Sequence, residues 1–392
     1  MQYYFILGTN CALSLAELFA VLDIRDARLL APDFLLAQTD DFDPDTLIRR
    51  LGGVIKIGKV ESILKSSNQV KLLQEISELA LNKQAQGSTG KFNFGISGYG
   101  SSLFNEKILG LKLKQVFKEK EISCRFVVSQ EKTLSSVVVA QNKLLSRGIE
   151  IVLASDKGQT IIGQTLAVQP FKDMSLRDYG RPARDDHSGM LPPKLAQIMI
   201  NLASKKVPEA VLLDPFCGSG TVLTEAFMMG YQKIFGSDIS VQALEATRRN
   251  VGWVKELYKI SAPNPVLSVC PVQRLSSFIK PTSIDAIVTE PYLGPQRGKM
   301  DIPSVISELE ELYSLAFKEF FPALRPQGRV VMVWPVFYGE RPISPQHTGF
   351  KVIDIIPGSL KGPLVKLSRR GTIIYGRPGQ KVFREIVVLE KE

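Results

Sequence analysis

Asp214-Pro215-Phe216-Cys217-Gly218-Ser219-Gly220-Thr221 lies between two stretches of different periodicity. Ala210-Val211-Leu212-Leu213 before it is a short apolar run, while Leu223, Ala226, Phe227 and Met228 after it mark an amphipathic helix. The order is therefore buried strand, tight glycine turn, helix. Two glycines leave no side chain over the turn, so a ligand can lie against backbone amides at the helix N-terminus. Ile234-Phe235-Gly236-Ser237-Asp238 is a second apolar strand, ending in a carboxylate 18 residues past Gly220. An acid at that distance can accept hydrogen bonds from both hydroxyls of a ribose. No Gly-Lys-Ser/Thr follows the turn, which excludes a P-loop, and a dinucleotide fold would want three spaced glycines. A nucleotide-like cofactor fits what remains.

Working outward, Ile284–Thr289 and Arg329–Trp334 are further short, β-branched strands, with a helical stretch from about Ser304 to Phe320 between them. Alternating strands and helices of these lengths predict a doubly wound, mostly parallel sheet. Val352–Ile356, Thr372–Tyr375 and Glu385–Leu389 follow without helices, and Gly-Arg-Pro-Gly at 376–379 predicts an antiparallel hairpin at the sheet edge. Upstream, Leu191-Pro192-Pro193-Lys194 opens a helix, with the prolines suited to its first turn. Residues 173–189 are charged and broken, so they are expected to form a linker that packs no core element. The first 165 residues alternate in smaller units: strand Tyr3–Gly8, helix Ser14–Leu22, strands Phe34–Ala37 and Val54–Val60. A second such unit begins at Lys91.

The chain has 392 residues, enough for two or three domains with real cores. Cys11, Cys124, Cys217 and Cys270 form no Cys-x-x-Cys pair, and His187 and His347 stand alone, so neither a disulfide framework nor a metal site is expected. The N-terminus lacks a basic leader, and no apolar run reaches about 18 residues, so no membrane span is expected and the cytoplasm is the default location. The net charge of +10 is uneven. Residues 1–50 carry 4 basic and 8 acidic side chains, residues 51–150 carry 15 and 8, and residues 351–392 carry 9 and 4. A basic central segment and a basic tail suit a polyanion held at two places; ordinary solvated lysine is the alternative.

Asp214 to Thr221 resembles motif I of the class I S-adenosylmethionine methyltransferases, in the Asp-Pro-x-Cys-Gly-x-Gly-Thr form of enzymes that methylate nucleobase amines. Other stretches resemble one branch of these, the THUMP-containing tRNA guanosine-10 N2-methyltransferases. They are Tyr4-Phe5-Ile6-Leu7-Gly8 with Leu13–Leu18, Phe94–Gly100, Arg177–Pro182 and Gly189–Ala196, in the same order along the chain. The resemblance implies a ferredoxin-like domain (1–65), a THUMP RNA-binding domain (66–168), a linker (169–189) and a Rossmann-like seven-stranded methyltransferase domain (190–392). It implies tRNA as partner, leaves open a small activating subunit, and says nothing of oligomeric state. S-adenosylmethionine would be held by Asp214, Phe216, Gly218, Gly220 and Thr221, with Asp238 on the ribose and Ile239 on one adenine face. Pro271 and Val272 sit where many relatives carry an acid facing the adenine amine, so a backbone contact is expected there. Met190 and Leu191 either close over the cofactor or pack in the core.

In the amino-methyltransferases an Asp/Asn-Pro-Pro-Tyr/Phe segment follows the fourth strand. Its acid and a main-chain carbonyl accept the amine hydrogens, and its aromatic ring stacks on the base. This chain has Thr289-Glu290-Pro291-Tyr292-Leu293-Gly294 there. Glu290 then takes the place of the acid and Pro291 supplies the carbonyl. Leu293 replaces the aromatic, which leaves Tyr292 to stack. For RNA, Lys107, Lys114 and Lys118 share one face of a predicted helix. Arg177, Arg181 and Arg184 in the linker and Arg297 beside the catalytic loop are the other candidates; a solvated face and salt bridges are the alternatives for the lysines and linker arginines. The function expected is tRNA N2-methylguanosine formation at position 10. The alternatives are an amino-methyltransferase acting on another tRNA site, ribosomal RNA or DNA, and a non-catalytic RNA-binding protein that retains the fold.

Overall fold

The computed structural model describes residues 1–392 except 66–67, 87–89, 101–103, 185–189, 204–208 and 296–300. Among the described residues the strands form two sheets. The first contains β1 (Gln2–Leu7), β2 (Asp26–Ala31), β3 (Phe34–Gln38), β4 (Val54–Leu64), β5 (Phe92–Tyr99), β6 (Cys124–Val127), β7 (Gly148–Asp156) and β8 (Gln159–Val168). Their order is β2-β3-β1-β4-β8-β7-β5-β6. Helices α1 (Cys11–Val21), α2 (Pro44–Arg50), α3 (Gln69–Ala85), α4 (Glu106–Glu119) and α5 (Ser136–Gln141) accompany it. Each starts on a side-chain cap: Asn10, Asp43, Asn68, Asn105 and Ser135 accept from backbone amides of the first turn. The two expected N-terminal units meet in one sheet, because β4 pairs antiparallel with β8, from Lys56 opposite Val168 to Leu64 opposite Thr160.

After α6 (Phe171–Tyr179) and α7 (Pro193–Ala203) the second half alternates as expected. Its elements are β9 (Val211–Asp214), α8 (Thr221–Met228), β10 (Lys233–Asp238), α9 (Val241–Leu257), β11 (Val266–Val269), β12 (Ile284–Thr289), α10 (Ile302–Ala323) and β13 (Leu324–Phe337). Short β14 (Arg341–Pro342), β15 (Phe350–Val352) and β16 (Ile373–Tyr375) precede β17 (Val382–Lys391). The main path is β11-β10-β9-β12-β13-β17-β15. Five strands run parallel, and β17 enters antiparallel beside β13. This is the Rossmann-like methyltransferase arrangement. The expected edge hairpin forms between β16 and β17, and β15 pairs with the far end of β17.

One apolar core joins the two halves, running from Tyr3, Phe5, Leu13 and Leu18 through Leu195 and Met199 to Val331 and Val388. At the seam Glu17 of α1 has no solvent exposure. It accepts from the Gly52 and Gly53 amides at 2.8 Å each and from Asn201 Nδ2 of α7 at 2.8 Å. A Cβ on Gly52 would lie 2.1 Å from the Lys194 carbonyl oxygen, so only glycine lets this turn meet the start of α7. No described helix is long and apolar enough to cross a membrane.

Residues 171–179 depart from the expected linker. They form α6, with Met174 and Arg177 buried. Arg177 donates from Nε and Nη2 to both carboxylate oxygens of Glu225 on α8, at 2.8 and 3.1 Å, and both side chains are at most 4% exposed. Charge looked like a linker signature because the partner stands 48 residues away. Arg177→Met would leave Glu225 buried without its cation, so it is expected to lower stability by about 3–5 kcal/mol. Urea denaturation of the two proteins checks this, and Arg177→Met/Glu225→Met should recover most of the loss.

Candidate active site

Four strand ends converge on one cavity of about 980 Å³. Asp214 ends β9, Asp238 ends β10, Cys270-Pro271-Val272 follows β11, and Glu290-Pro291-Tyr292 follows β12. This is the carboxyl end of a parallel sheet, where ligands of open α/β folds bind. The volume lies near the upper end of the range for ligand pockets, room for a nucleoside cofactor and a second group beside it.

The glycine turn is built to stay open. Gly218 has φ +51° and a Cβ there would meet nothing within 4 Å, so its missing side chain leaves free space above the turn. Gly220 has φ +84°, but a Cβ there would lie 2.9 Å from the Thr247 side chain. Gly220 is buried and does not line the cavity; its place is the close packing of α8 against α9. Phe216, Ser219 and Thr221 do line it. Asp238 braces the turn, accepting from the Gly218 amide at 3.0 Å and the Ser240 amide at 2.9 Å. A carboxylate has about four acceptor sites, so Asp238 keeps capacity for the hydroxyls of a ribose. Ile239, 74% exposed, stands on the cavity wall as an apolar surface of the kind a flat base covers. Pro271 and Val272 line the same cavity, and so does Gln273, whose amide brings the polar group that Pro271 lacks. Met190 and Leu191 line it too.

Asp214 is the most perturbed acid in the cavity. It accepts from Thr289 Oγ1 at 2.6 Å and from the Phe216 amide at 3.2 Å. Burial, with the Asp238 and Glu290 charges adding to it and those two bonds opposing it, raises its pKa from 3.8 to about 7. A buried acid of this kind suits a cationic ligand group. Burial also pushes the Cys217 thiol up, which leaves a protonated, buried sulfur and no nucleophile.

The loop after β12 is anchored from two sides. Tyr313 of α10 donates its hydroxyl to the Tyr292 carbonyl at 2.9 Å. Arg384 of β17 donates to Glu290 from Nε and Nη2, at 2.5 and 3.1 Å. Tyr292 is 58% exposed and lines the cavity, whereas Leu293 is 7% exposed. The aromatic surface at the loop is therefore one residue earlier than in the Asp-Pro-Pro-Tyr pattern. Arg384 was missed in the sequence, since nothing in β17 marks one arginine as facing a loop 94 residues earlier.

The RNA candidates separate. Lys107, Lys114 and Lys118 are exposed on α4. Arg177 and Arg181 are not available to RNA: Arg177 is spent on Glu225, and Arg181, 6% exposed, donates to the Arg177 carbonyl and to Thr221 Oγ1. These guanidiniums fix α6 to the start of α8. Arg297 lies outside the described residues. Arg184, the third linker arginine considered for RNA, lines the cavity and sits 5.6 Å over the ring of Tyr179, itself 65% exposed.

A family model described as RMKL-like, methyltransferase domain, matches residues 181–336, and one described as DNA methylase matches residues 99–249. Over 123 residues the chain is 35% identical to a probable tRNA (guanine(10)-N2)-dimethyltransferase of Methanothermococcus thermolithotrophicus, covering 30% of this chain and 72% of that protein. Relatives named tRNA (guanine(10)-N2)-dimethyltransferase are 24% identical over 265 residues in Pyrococcus abyssi and 37% over 108 in Methanothermobacter thermautotrophicus. These matches span 63% of this chain and 72% of the Pyrococcus protein, and 28% of this chain and 29% of the Methanothermobacter one. In fold, the chain is similar over its full length to the crystal structure of TrmN from Thermus thermophilus, with a TM-score of 0.56 at 16% identity. The chain belongs to a family of tRNA methyltransferases.

The raised Asp214 has a measurable consequence. The folded state holds a proton that the unfolded state releases near pH 3.8, so this group's contribution to stability is full at low pH and is lost as pH rises from about 4 to 7. Thermal unfolding of the ligand-free protein across this range should show wild type losing stability relative to Asp214→Asn as pH rises. A flat difference curve would mean that Asp214 titrates normally.

Proposed function

We propose that this chain, as a member of that family, transfers methyl groups from S-adenosylmethionine to the N2 amine of a guanosine in tRNA, at position 10. What supports the reading is one cavity shared by Asp238 at the end of β10, an open glycine turn and Glu290 after β12 beside the exposed Tyr292. The names of the relatives supply the substrate and the position.

The residues present suit the cofactor. Asp238 would take the ribose hydroxyls, Ile239 and Pro271 the base, Gln273 its polar edge, and Asp214 the charge of the amino-acid end. Bound there, S-adenosylmethionine supplies a sulfonium methyl carbon open to in-line attack, the breaking carbon–sulfur pair staying on sulfur. The protein's own work is positioning. Tyr292 stacks on the extruded base and fixes its plane. Glu290 and the Pro291 carbonyl accept the two amine hydrogens, which draws lone-pair density back onto a nitrogen otherwise conjugated with the ring. As the new carbon–nitrogen bond forms, one amine proton leaves through Glu290 toward solvent.

In this reading residues 66–168, which include α4, form a THUMP-type RNA-binding domain. Lys107, Lys114 and Lys118 contact phosphates, and Arg184, on the cavity wall, meets the tRNA body. Mutating all three lysines to alanine should weaken tRNA binding and make it less sensitive to salt. The logarithmic salt slope should fall by about one for each phosphate no longer neutralised, with cofactor affinity unchanged.

The deciding assay uses tritiated S-adenosylmethionine with unmodified tRNA transcripts, followed by digestion and identification of the labelled nucleoside. Label in N2-methylguanosine that maps to position 10 supports the reading. The same assay run on duplex DNA, with label there and none in tRNA, would favour the other family model, that of DNA methylases. Glu290→Ala should cut turnover by about 10²-fold or more while both ligands still bind; unchanged turnover would remove Glu290 from the reaction.

A further inference from the structure

Glu290 reaches the cavity wall on a longer, more flexible stem than aspartate, and a carboxylate that must meet one amine needs a fixed plane. Arg384 supplies it. The two parallel bonds from Nε and Nη2 to opposite carboxylate oxygens make a fork that allows one orientation of the group. Both side chains are nearly buried, 11% exposed for Glu290 and 13% for Arg384, which sharpens the geometry. Arg384 does not line the cavity. It comes from behind the loop, on β17, in register with Pro335 of β13 on one side and Tyr375 of β16 on the other. Each Glu290 oxygen gives one acceptor site to the fork and keeps another. What faces the cavity is therefore an oriented, acceptor-only edge, suited to a group that presents N–H hydrogens and unsuited to a ring nitrogen or carbonyl oxygen.

We propose that Arg384 is the positioning residue of the methyl-acceptor subsite: it orients Glu290 as a fixed hydrogen-bond acceptor and so restricts the acceptor to an exocyclic amine. This rests on the methyltransferase reading above. The bidentate geometry and the burial of both partners carry it. The local charge agrees. Asp214 and the hydroxyl of Tyr313 lie close enough to Glu290 to feel its charge, with Tyr375 beside Arg384. Among the described residues Arg384 is the cation paired with Glu290.

The test compares kcat and KM of wild type, Arg384→Met, Arg384→Lys, Glu290→Ala and the double variant Glu290→Ala/Arg384→Met in the tritium assay. Calorimetry gives S-adenosylmethionine affinity and confirms that each variant is folded. Arg384→Met should lower kcat by about 10- to 100-fold, with KM for tRNA and cofactor affinity within about twofold. Arg384→Lys keeps the charge but not the two-point fork and should lose part of kcat. The double variant should be no worse than Glu290→Ala alone, because Arg384 acts through Glu290. Wild-type kcat in Arg384→Met would overturn the proposal, as would a double variant clearly slower than Glu290→Ala. If Arg384→Met does not fold, Arg384→Lys decides: an unchanged kcat speaks against an oriented fork, and a loss of kcat with KM preserved supports it. A wild-type protein that binds cofactor and labels no nucleic acid sinks the methyltransferase reading and this proposal with it; an active wild type with an indifferent Arg384 sinks this proposal alone.

Discussion

A carboxylate without access to water holds the two halves of this protein in register. Glu17 spends its oxygens on the Gly52 and Gly53 amides and on Asn201, so α1, the turn before β4 and α7 meet at one point. Burial raises its pKa to about 7, against the bonds from Gly52, Gly53 and Asn201. Hydrogen bonds from neutral donors hold it, in place of a salt bridge. Because α7 also belongs to the core under the catalytic sheet, the seam transmits its geometry to both sides.

The same economy governs the basic residues. A net charge of +10 suggests many free cations, yet several are committed inside the protein. Lys56 is buried against Glu150, Arg177 against Glu225, and Arg384 against Glu290. Each pairs elements far apart in the chain, and each would be costly to break, since removing one partner strands the other away from water. Lys107, Lys114 and Lys118, by contrast, stay exposed on the outer face of α4, and Arg184 lines the cavity.

The cavity itself balances three acids. Asp214, Asp238 and Glu290 end three adjacent strands of the sheet, and such a concentration of negative charge is unfavourable unless each is answered. Backbone amides answer Asp238, a guanidinium answers Glu290, and Asp214 is left with a threonine hydroxyl, one amide and a raised pKa. The least compensated of the three is thus the one best suited to a ligand's positive charge.

The strand–turn–helix at Asp214–Thr221, the acid at Asp238 and the loop after β12 were legible in the sequence because each is local: apolar period, glycine content and spacing fix backbone shape within a few residues. The helical face that carries Lys107, Lys114 and Lys118 was legible for the same reason. The partners were not. That β4 would pair with β8, that Arg177 and Arg181 would be structural, that Gly220 would serve packing more than binding, and that Arg384 would stand behind Glu290 depend on which distant strands and helices come together. A charged side chain carries no mark of whether it will meet solvent, RNA or a buried opposite charge. Local sequence sets the backbone of the site and the residue types it offers; the packing of distant elements sets which of those side chains pair inside the protein, because pairing energy depends on distance and burial and not on position along the chain.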